Sequence, residues 1–204
     1  MRDELGRDRE RVKVLCIGDL HVPSRAYDVP PHLKSSLASI QWDVVLCTGD
    51  LEERFVMNWL RELAGDARLV VVGGNMDYLD LPSYGEVEVG EFLIGVIHGH
   101  QVYPRGDVRK LAGIALEKGV DILVNGHTHI PSINRLSLGG REVVLVNPGS
   151  LTGVWSGAGG SLVPSYSVIE VTGRKALISL YELREGRVEL RARETLIKDV
   201  RRMS

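Results

Sequence analysis

Two near-identical phrases, VLCIGD at 14–19 and VLCTGD at 45–50, constrain this sequence more than any other feature. Each is a short apolar run that stops at a glycine and then places an aspartate. That is the form of a buried parallel strand whose end opens into a loop. The form recurs along the chain. Leu69–Val72 precedes Gly74-Asn75-Met76-Asp77, and Phe92–Ile97 precedes His98-Gly99-His100. Ile122–Val124 precedes Gly126-His127-Thr128-His129, and residues 142–146 precede Asn147-Pro148-Gly149-Ser150. Strand ends of this kind gather along one edge of an open α/β sheet, where ligand sites form. If the first two phrases pair as parallel strands, Cys16 and Cys47 share a register, as two small buried hydrophobes.

The segments between these runs carry the matching helical signals. PHLKSSLASI at 31–40 opens with proline and spaces Leu33, Leu37 and Ile40 helically. Residues 54–64 put Phe55, Trp59, Leu60 and Leu63 on one face, and Asp107–Lys118 turns Val108, Leu111, Ala112, Ala115 and Leu116 inward. Three strand–helix steps in a row predict a parallel sheet with crossover helices. The second half changes character. Glu86–Val89 and Phe92–Ile97 form a hairpin around Gly90-Glu91, and 133–138 and 142–146 flank Gly139-Gly140. Ser167–Glu194 is a meander broken at Thr172-Gly173 and Glu185-Gly186. The expectation is an α/β fold of two packed sheets with helices outside. Residues 1–11, MRDELGRDRER, are expected to be a charged tail, and 12–204 a single domain.

Composition excludes several classes. With 204 residues, 44% hydrophobic and 25% charged, the chain is of ordinary globular make-up, and its net charge of −2 carries no general nucleic-acid or anionic-membrane signal. No apolar run approaches the roughly 20 residues needed to span a bilayer, and the charged N-terminus has no signal-peptide core. A cytoplasmic protein is expected, and two cysteines make no disulfide framework.

The polar residues at the strand ends carry the chemistry. Alone, an aspartate or histidine after glycine is often only a turn former. Together, five of the six histidines and several acids follow apolar strands directly, with His32 left on the surface. Carboxylates gathered so closely repel one another, and a cation is their natural partner. Mixed imidazole and carboxylate donors suit first-row divalent metals rather than calcium.

The ordered set GDLH, GD, GNMD, HGH, GHTH and NPGS resembles the calcineurin-like metallophosphoesterases, in order from about residue 12 to 155 with hairpins continuing to about 185. Within them it is most similar to the branch of small archaeal and bacterial phosphodiesterases and the vacuolar sorting protein 29 subunit of retromer. The resemblance implies a four-layer α/β/β/α sandwich of two mixed sheets flanked by helices. It implies two divalent cations, manganese foremost, with zinc, nickel, cobalt or iron as alternatives. Asp19, His21 and His129 match the ligands of the first metal. Asn75, His98 and His127 match those of the second, and Asp50 matches the bridging carboxylate. Alternation along an extended segment is expected to send His127 and His129 to different ions. His100 is a candidate for orienting the phosphate.

The implied reaction is hydrolysis of a small phosphodiester by water activated between the cations. Many members carry a histidine after the motif asparagine as proton donor. Met76 stands there instead, so good leaving groups are expected to be favoured, with Asp77 or His100 as substitute donors. The Gly-rich stretch 153–166, with Trp155, reads either as a flap over the site whose ring stacks on a substrate or as a plain connection or dimer contact, and Arg105 as a solvated surface residue in preference to a phosphate contact. A second implication is a metal-binding scaffold with a protein partner or a second copy of itself, as in the retromer subunit. That subunit exchanges the identities of the second-motif aspartate and third-motif asparagine. Asp50 and Asn75 keep the hydrolase pattern.

Overall fold

The computed structural model describes residues 11–198. Strands β1 (Val12–Ile17), β2 (Val44–Cys47) and β3 (Arg68–Val71) pair in parallel, with α1 (Pro31–Ala38) and α2 (Arg54–Ala64) as the crossovers between them. The hairpin of β4 (Tyr84–Val89) and β5 (Phe92–Ile97) follows, then α3 (Val108–Lys118) and β6 (Ile122–Asn125). Strands β7 (Ser132–Leu138) and β8 (Arg141–Asn147) form a second hairpin. The meander β9 (Ser165–Thr172), β10 (Lys175–Arg184) and β11 (Arg187–Ile197) ends the chain. The predicted tail falls on residues 1–10, outside the described residues, apart from Arg11, which pairs with Glu170 at 3.1 Å.

The strands make two mixed sheets, one ordered β11-β10-β9-β1-β2-β3 and the other β4-β5-β6-β8-β7. Valines and isoleucines from both, among them Val14, Leu46, Ile94, Val124, Val144 and Ile169, interlock between the sheets. The outer face of the first sheet packs on α1 and α2 through Leu15, Val45, Leu33 and Leu60. That of the second packs on α3 through Leu123, Leu145, Leu111 and Ala115. The order of layers is therefore helix, sheet, sheet, helix, as expected. Local chemistry sets the helix ends. Pro31 occupies the first turn of α1. Asp107 caps α3 by accepting from the N–H groups of Arg109 and Lys110, and Gly119 ends it in the left-handed conformation.

Three packing expectations need correction. Phe55 is exposed, and α2 buries Val56, Met57, Leu60 and Ala64 instead, with Trp59 and Leu63 half-buried. The buried stripe of α2 is thus rotated toward Val56, Met57 and Ala64, which pack in the cluster between the helices and the first sheet. Val108, in the first turn of α3, is exposed at the rim. The cysteines do not share a register. Ile17 pairs with Cys47 and Cys16 with Leu46, and the one-residue offset turns Cys16 toward the inter-sheet core and Cys47 toward the helices. Both are free and buried, and burial pushes both thiols up.

Candidate metal centre

The C-terminal ends of β1, β2 and β3 in the first sheet face those of β5 and β6 in the second. Asp19 and His21 follow β1, Asp50 follows β2 and Asn75 follows β3. His98 and His100 follow β5, and His127 and His129 follow β6. The loops do not relax into ordinary backbone there. Asp19, His21, Asp50, Glu52, His127 and His129 all have φ between 49° and 77°, with Leu162 and Glu185 as the other non-glycine residues of positive φ among those described. Side chains with a Cβ adopt this region only at a cost, which surrounding structure must overcome. This also corrects the expected alternation. Residues 127–129 form a turn with both imidazoles on left-handed backbone, not an extended segment.

Donor atoms converge inside this frame. One atom each of Asp19, His21, Asp50 and His129 lies within 4.8 Å of the others, and all four residues are buried. His21 Nε2 is 3.2 Å from Asp50 Oδ2 and 3.2 Å from His129 Nε2, which is 3.5 Å from Asp19 Oδ1. A second group adjoins it. His98 Nε2 lies 3.1 Å from Asn75 Oδ1, 3.2 Å from His127 Nδ1 and 3.4 Å from Asp50 Oδ2. Asp50 Oδ2 is thus common to both groups.

The outer ring nitrogens show which inner atoms carry lone pairs. His98 Nδ1 donates to the Thr48 carbonyl at 2.8 Å, His129 Nδ1 to the Val154 carbonyl at 2.7 Å, and His21 Nδ1 to Glu52 at 2.9 Å. Carbonyl oxygens only accept, so the protons of His98 and His129 sit on Nδ1 and their Nε2 lone pairs point inward. Burial lowers His98, and it brings His127 and His129 down to about 4, keeping these rings neutral near pH 7. Burial and the neighbouring Asp50 push Asp19 well above the usual carboxylate range. Burial opposes ionisation of Asp50 too, but the His21 hydrogen bond and the His98 charge hold it at about 2. The Nε2 lone pairs of His98 and His129 therefore face oxygens of Asp50, Asn75 and Asp19 and the rings of two further histidines, a set of nitrogen and oxygen atoms of the kind that ligates metal ions. The residues present fit divalent metal ions.

The family model of the calcineurin-like phosphoesterase superfamily domain matches residues 12–186. The chain belongs to this superfamily. The chain is 40% identical over 136 residues to a probable metallophosphoesterase of Methanocaldococcus jannaschii, a match covering 67% of this chain and 66% of that protein. It spans about two thirds of that relative's length. Its fold is similar to Vacuolar Protein Sorting 29 of Cryptosporidium parvum, with a TM-score of 0.81 and 31% identity over 92% of this chain and 99% of the other. It is likewise similar to wild-type Vps29 of Entamoeba histolytica complexed with zinc, with a TM-score of 0.79 and 36% identity over 90% and 99%.

Several residues take parts that the sequence did not assign. Glu52 is buried, accepts from His21 Nδ1 and from the N–H and hydroxyl of Ser24, and so orients the His21 ring. Asp77 is no spare proton donor, because its carboxylate accepts four backbone N–H groups, those of Asp50, Leu51, Glu52 and Gly74. Arg105 is half-buried rather than solvated and donates to the carbonyls of His127 and Ser156. Ser150 and Asn147 of the NPGS segment brace the Asp19 carbonyl and the Gly126–Thr128 turn. Gly74 and Gly126 allow the close approach: a Cβ on them would meet Asp50 Oδ1 at 2.1 Å and Asp19 Oδ2 at 2.8 Å. His100 stands exposed at the mouth, its ring 5.3 Å from that of His98 and 6.3 Å from that of His127. A charge-bearing Glu after Gly-Asp was the available signal for Glu52; nothing in the pattern marked Asp77 as a clamp.

Proposed function

We propose that the chain hydrolyses a small phosphodiester with two divalent cations. Asp19, His21 and His129 would hold one, Asn75, His98 and His127 the other, and Asp50 both. The observation that carries the reading is the convergence of two groups of nitrogen and oxygen atoms on Asp50 Oδ2, which both groups share. Bound there, the cations supply Lewis acidity, lowering the pKa of water and neutralising charge on phosphate oxygens. Manganese is the preferred ion, on the mixed imidazole, carboxylate and amide donors, with zinc, nickel, cobalt and iron as alternatives.

The chain's own groups fix the rest. Met76 N–H donates to Asp50 Oδ1 at 2.8 Å, leaving Oδ2 for the shared position. His100, exposed beside His98, is placed to donate to a phosphate oxygen and hold the ester in line. Met76 cannot supply the proton that a histidine supplies at that position in many members, and Asp77 is committed to backbone, which leaves His100 as the candidate donor. General acid catalysis is worth ~10²–10⁴-fold, so the reading favours leaving groups that depart without a proton.

The test is hydrolysis of bis(p-nitrophenyl) phosphate by metal-stripped protein with and without manganese, against Asp50→Ala. Turnover that needs metal and is lost in the variant supports the reading. A wild type as inert as the variant with manganese, nickel, cobalt and zinc overturns it. The second reading, a metal-binding scaffold for a protein partner, draws on the likeness to the Vacuolar Protein Sorting 29 structures over nearly their whole length. It then leads, and partner binding that survives chelation is its expected sign.

A further inference from the structure

Two Phe, three Trp and six Tyr are all the aromatic side chains this chain has. Five of them are exposed: Tyr27, Phe55, Tyr78, Tyr103 and Trp155. All but Phe55 lie in loops that follow the site motifs. Tyr27 comes six residues after His21, Tyr78 and Tyr103 three after Asn75 and His100, and Trp155 one after Val154, whose carbonyl holds His129. Exposed aromatic rings cost solvation, and four of them on the loops that carry the site motifs raise the question of a ligand.

Trp155 differs from the others in how its backbone is held. Three successive carbonyls of its loop each accept from a side chain at the site. Val154 O accepts from His129 Nδ1 at 2.7 Å, Trp155 O from Arg25 Nη1 at 2.7 Å, and Ser156 O from Arg105 Nη2 at 3.0 Å. The returning limb closes on the same histidine, Ser161 N–H donating to the His129 carbonyl at 3.0 Å. These bonds exclude a freely swinging flap and fix the Trp155 backbone beside the metal groups. The indole itself is 56% exposed, and among the described residues no aromatic ring or cation packs on it. An immobilised backbone with an unoccupied ring face is what a stacking platform requires.

We propose that Trp155 is a specificity-determining residue, a fixed platform that stacks a nucleobase and selects nucleotidyl phosphodiesters over alkyl ones. The metal groups would take the phosphate, and a flat aromatic one sugar away would reach the indole. Nucleotides are the common phosphodiesters that carry such a group. Stacking a base on an aromatic side chain is worth about a 5- to 100-fold change in binding. The proposal deepens the phosphodiesterase reading and takes its chemistry from it.

The test compares thymidine p-nitrophenyl phosphate with methyl p-nitrophenyl phosphate on the manganese-loaded full chain. Both lose the same leaving group, so the ratio of kcat/KM reports the nucleoside, and the change of that ratio in Trp155→Ala reports the indole's share of it. The expected wild-type ratio favours the thymidine ester, falls about 10-fold in Trp155→Ala and is largely kept in Trp155→Phe. A ratio near one in the wild type, or one unchanged in Trp155→Ala, overturns the proposal. If neither ester turns over, the hydrolase reading fails and Trp155 is judged by binding. Thymidine monophosphate should then quench tryptophan emission, ribose phosphate should not, and Trp155→Ala should remove the effect. Absence of that quenching overturns the role of Trp155.

Discussion

Asp77→Asn changes one oxygen to an NH2 group and leaves the volume of the side chain almost untouched. In the native site Asp77 Oδ2 accepts from Asp50 N and Gly74 N, both at 2.8 Å, and Oδ1 from Leu51 N at 2.7 Å and Glu52 N at 2.8 Å. Whichever oxygen is replaced, an amide donor then faces two backbone donors. Each unsatisfied buried donor costs about 1–3 kcal/mol, so two cost about 2–6 kcal/mol. Asp77 is only half-buried and water reaches part of the turn, which places the expectation near the low end, about 2–4 kcal/mol. That is a large share of the 5–15 kcal/mol by which folded proteins are typically stable. Urea unfolding followed by circular dichroism measures it directly. With an m-value of about 3 kcal/mol/M, the midpoint should fall by about 1 M with the slope unchanged. The turn that strains Asp50 and Glu52 to positive φ is the part being released, so manganese affinity should fall alongside stability. A variant within about 0.5 kcal/mol of the wild type would refute the argument that Asp77 clamps this turn.

Two further outcomes follow from burial and charge. Leu60→Ala, on the inward face of α2, should cost about 2–5 kcal/mol, whereas Phe55→Ala on the same helix should stay within about 0.5 kcal/mol; equal effects in denaturant melts would contradict the observed rotation of the helix. In metal-free protein, His98, His127 and His129 bind protons less readily when folded than their unfolded value of about 6.5. The unfolded chain then takes up more protons between about 6.5 and 4, so stability should fall as pH drops through that window. Asp19, raised by burial, pulls the other way, but it is one group against three. Melting temperatures that rise on acidification across that range would show the sign to be wrong.

The strand runs were legible because burial on both faces leaves an uninterrupted apolar signature ending at glycine, as at Ile17-Gly18 and Cys47-Thr48-Gly49. The order of motifs was equally legible, and the structure brings Asp19, His21, Asp50, Asn75, His98, His127 and His129 to one place. Two kinds of detail were not. Helix orientation depends on side-chain volume against the sheet, which periodicity alone does not weigh, and so Phe55 was turned the wrong way. Backbone strain and the clamps that maintain it arise from contacts distant in sequence. Asp77 reaches the Asp50 turn 26 or so positions back along the chain, and Arg105 reaches both His127 and Ser156. The register offset of Cys16 and Cys47 belongs here too, since matching phrases do not fix how two strands slide.

The proposed ligands divide by sheet. Asp19, His21, Asp50 and Asn75 come from the ends of one sheet, and His98, His127 and His129 from the other, with positions 19 and 129 closing a long stretch of chain. Neither sheet alone carries a complete donor set for either cation. Capturing metal and seating the second sheet on the first are therefore a single thermodynamic event. A chain in which only the six-stranded sheet has formed would offer three oxygens and one imidazole, too little to retain a borderline ion against cellular competitors. On the proposed ligand set, metal occupancy would report that the two sheets have met, and any hydrolysis that depends on it would be absent from partly built forms.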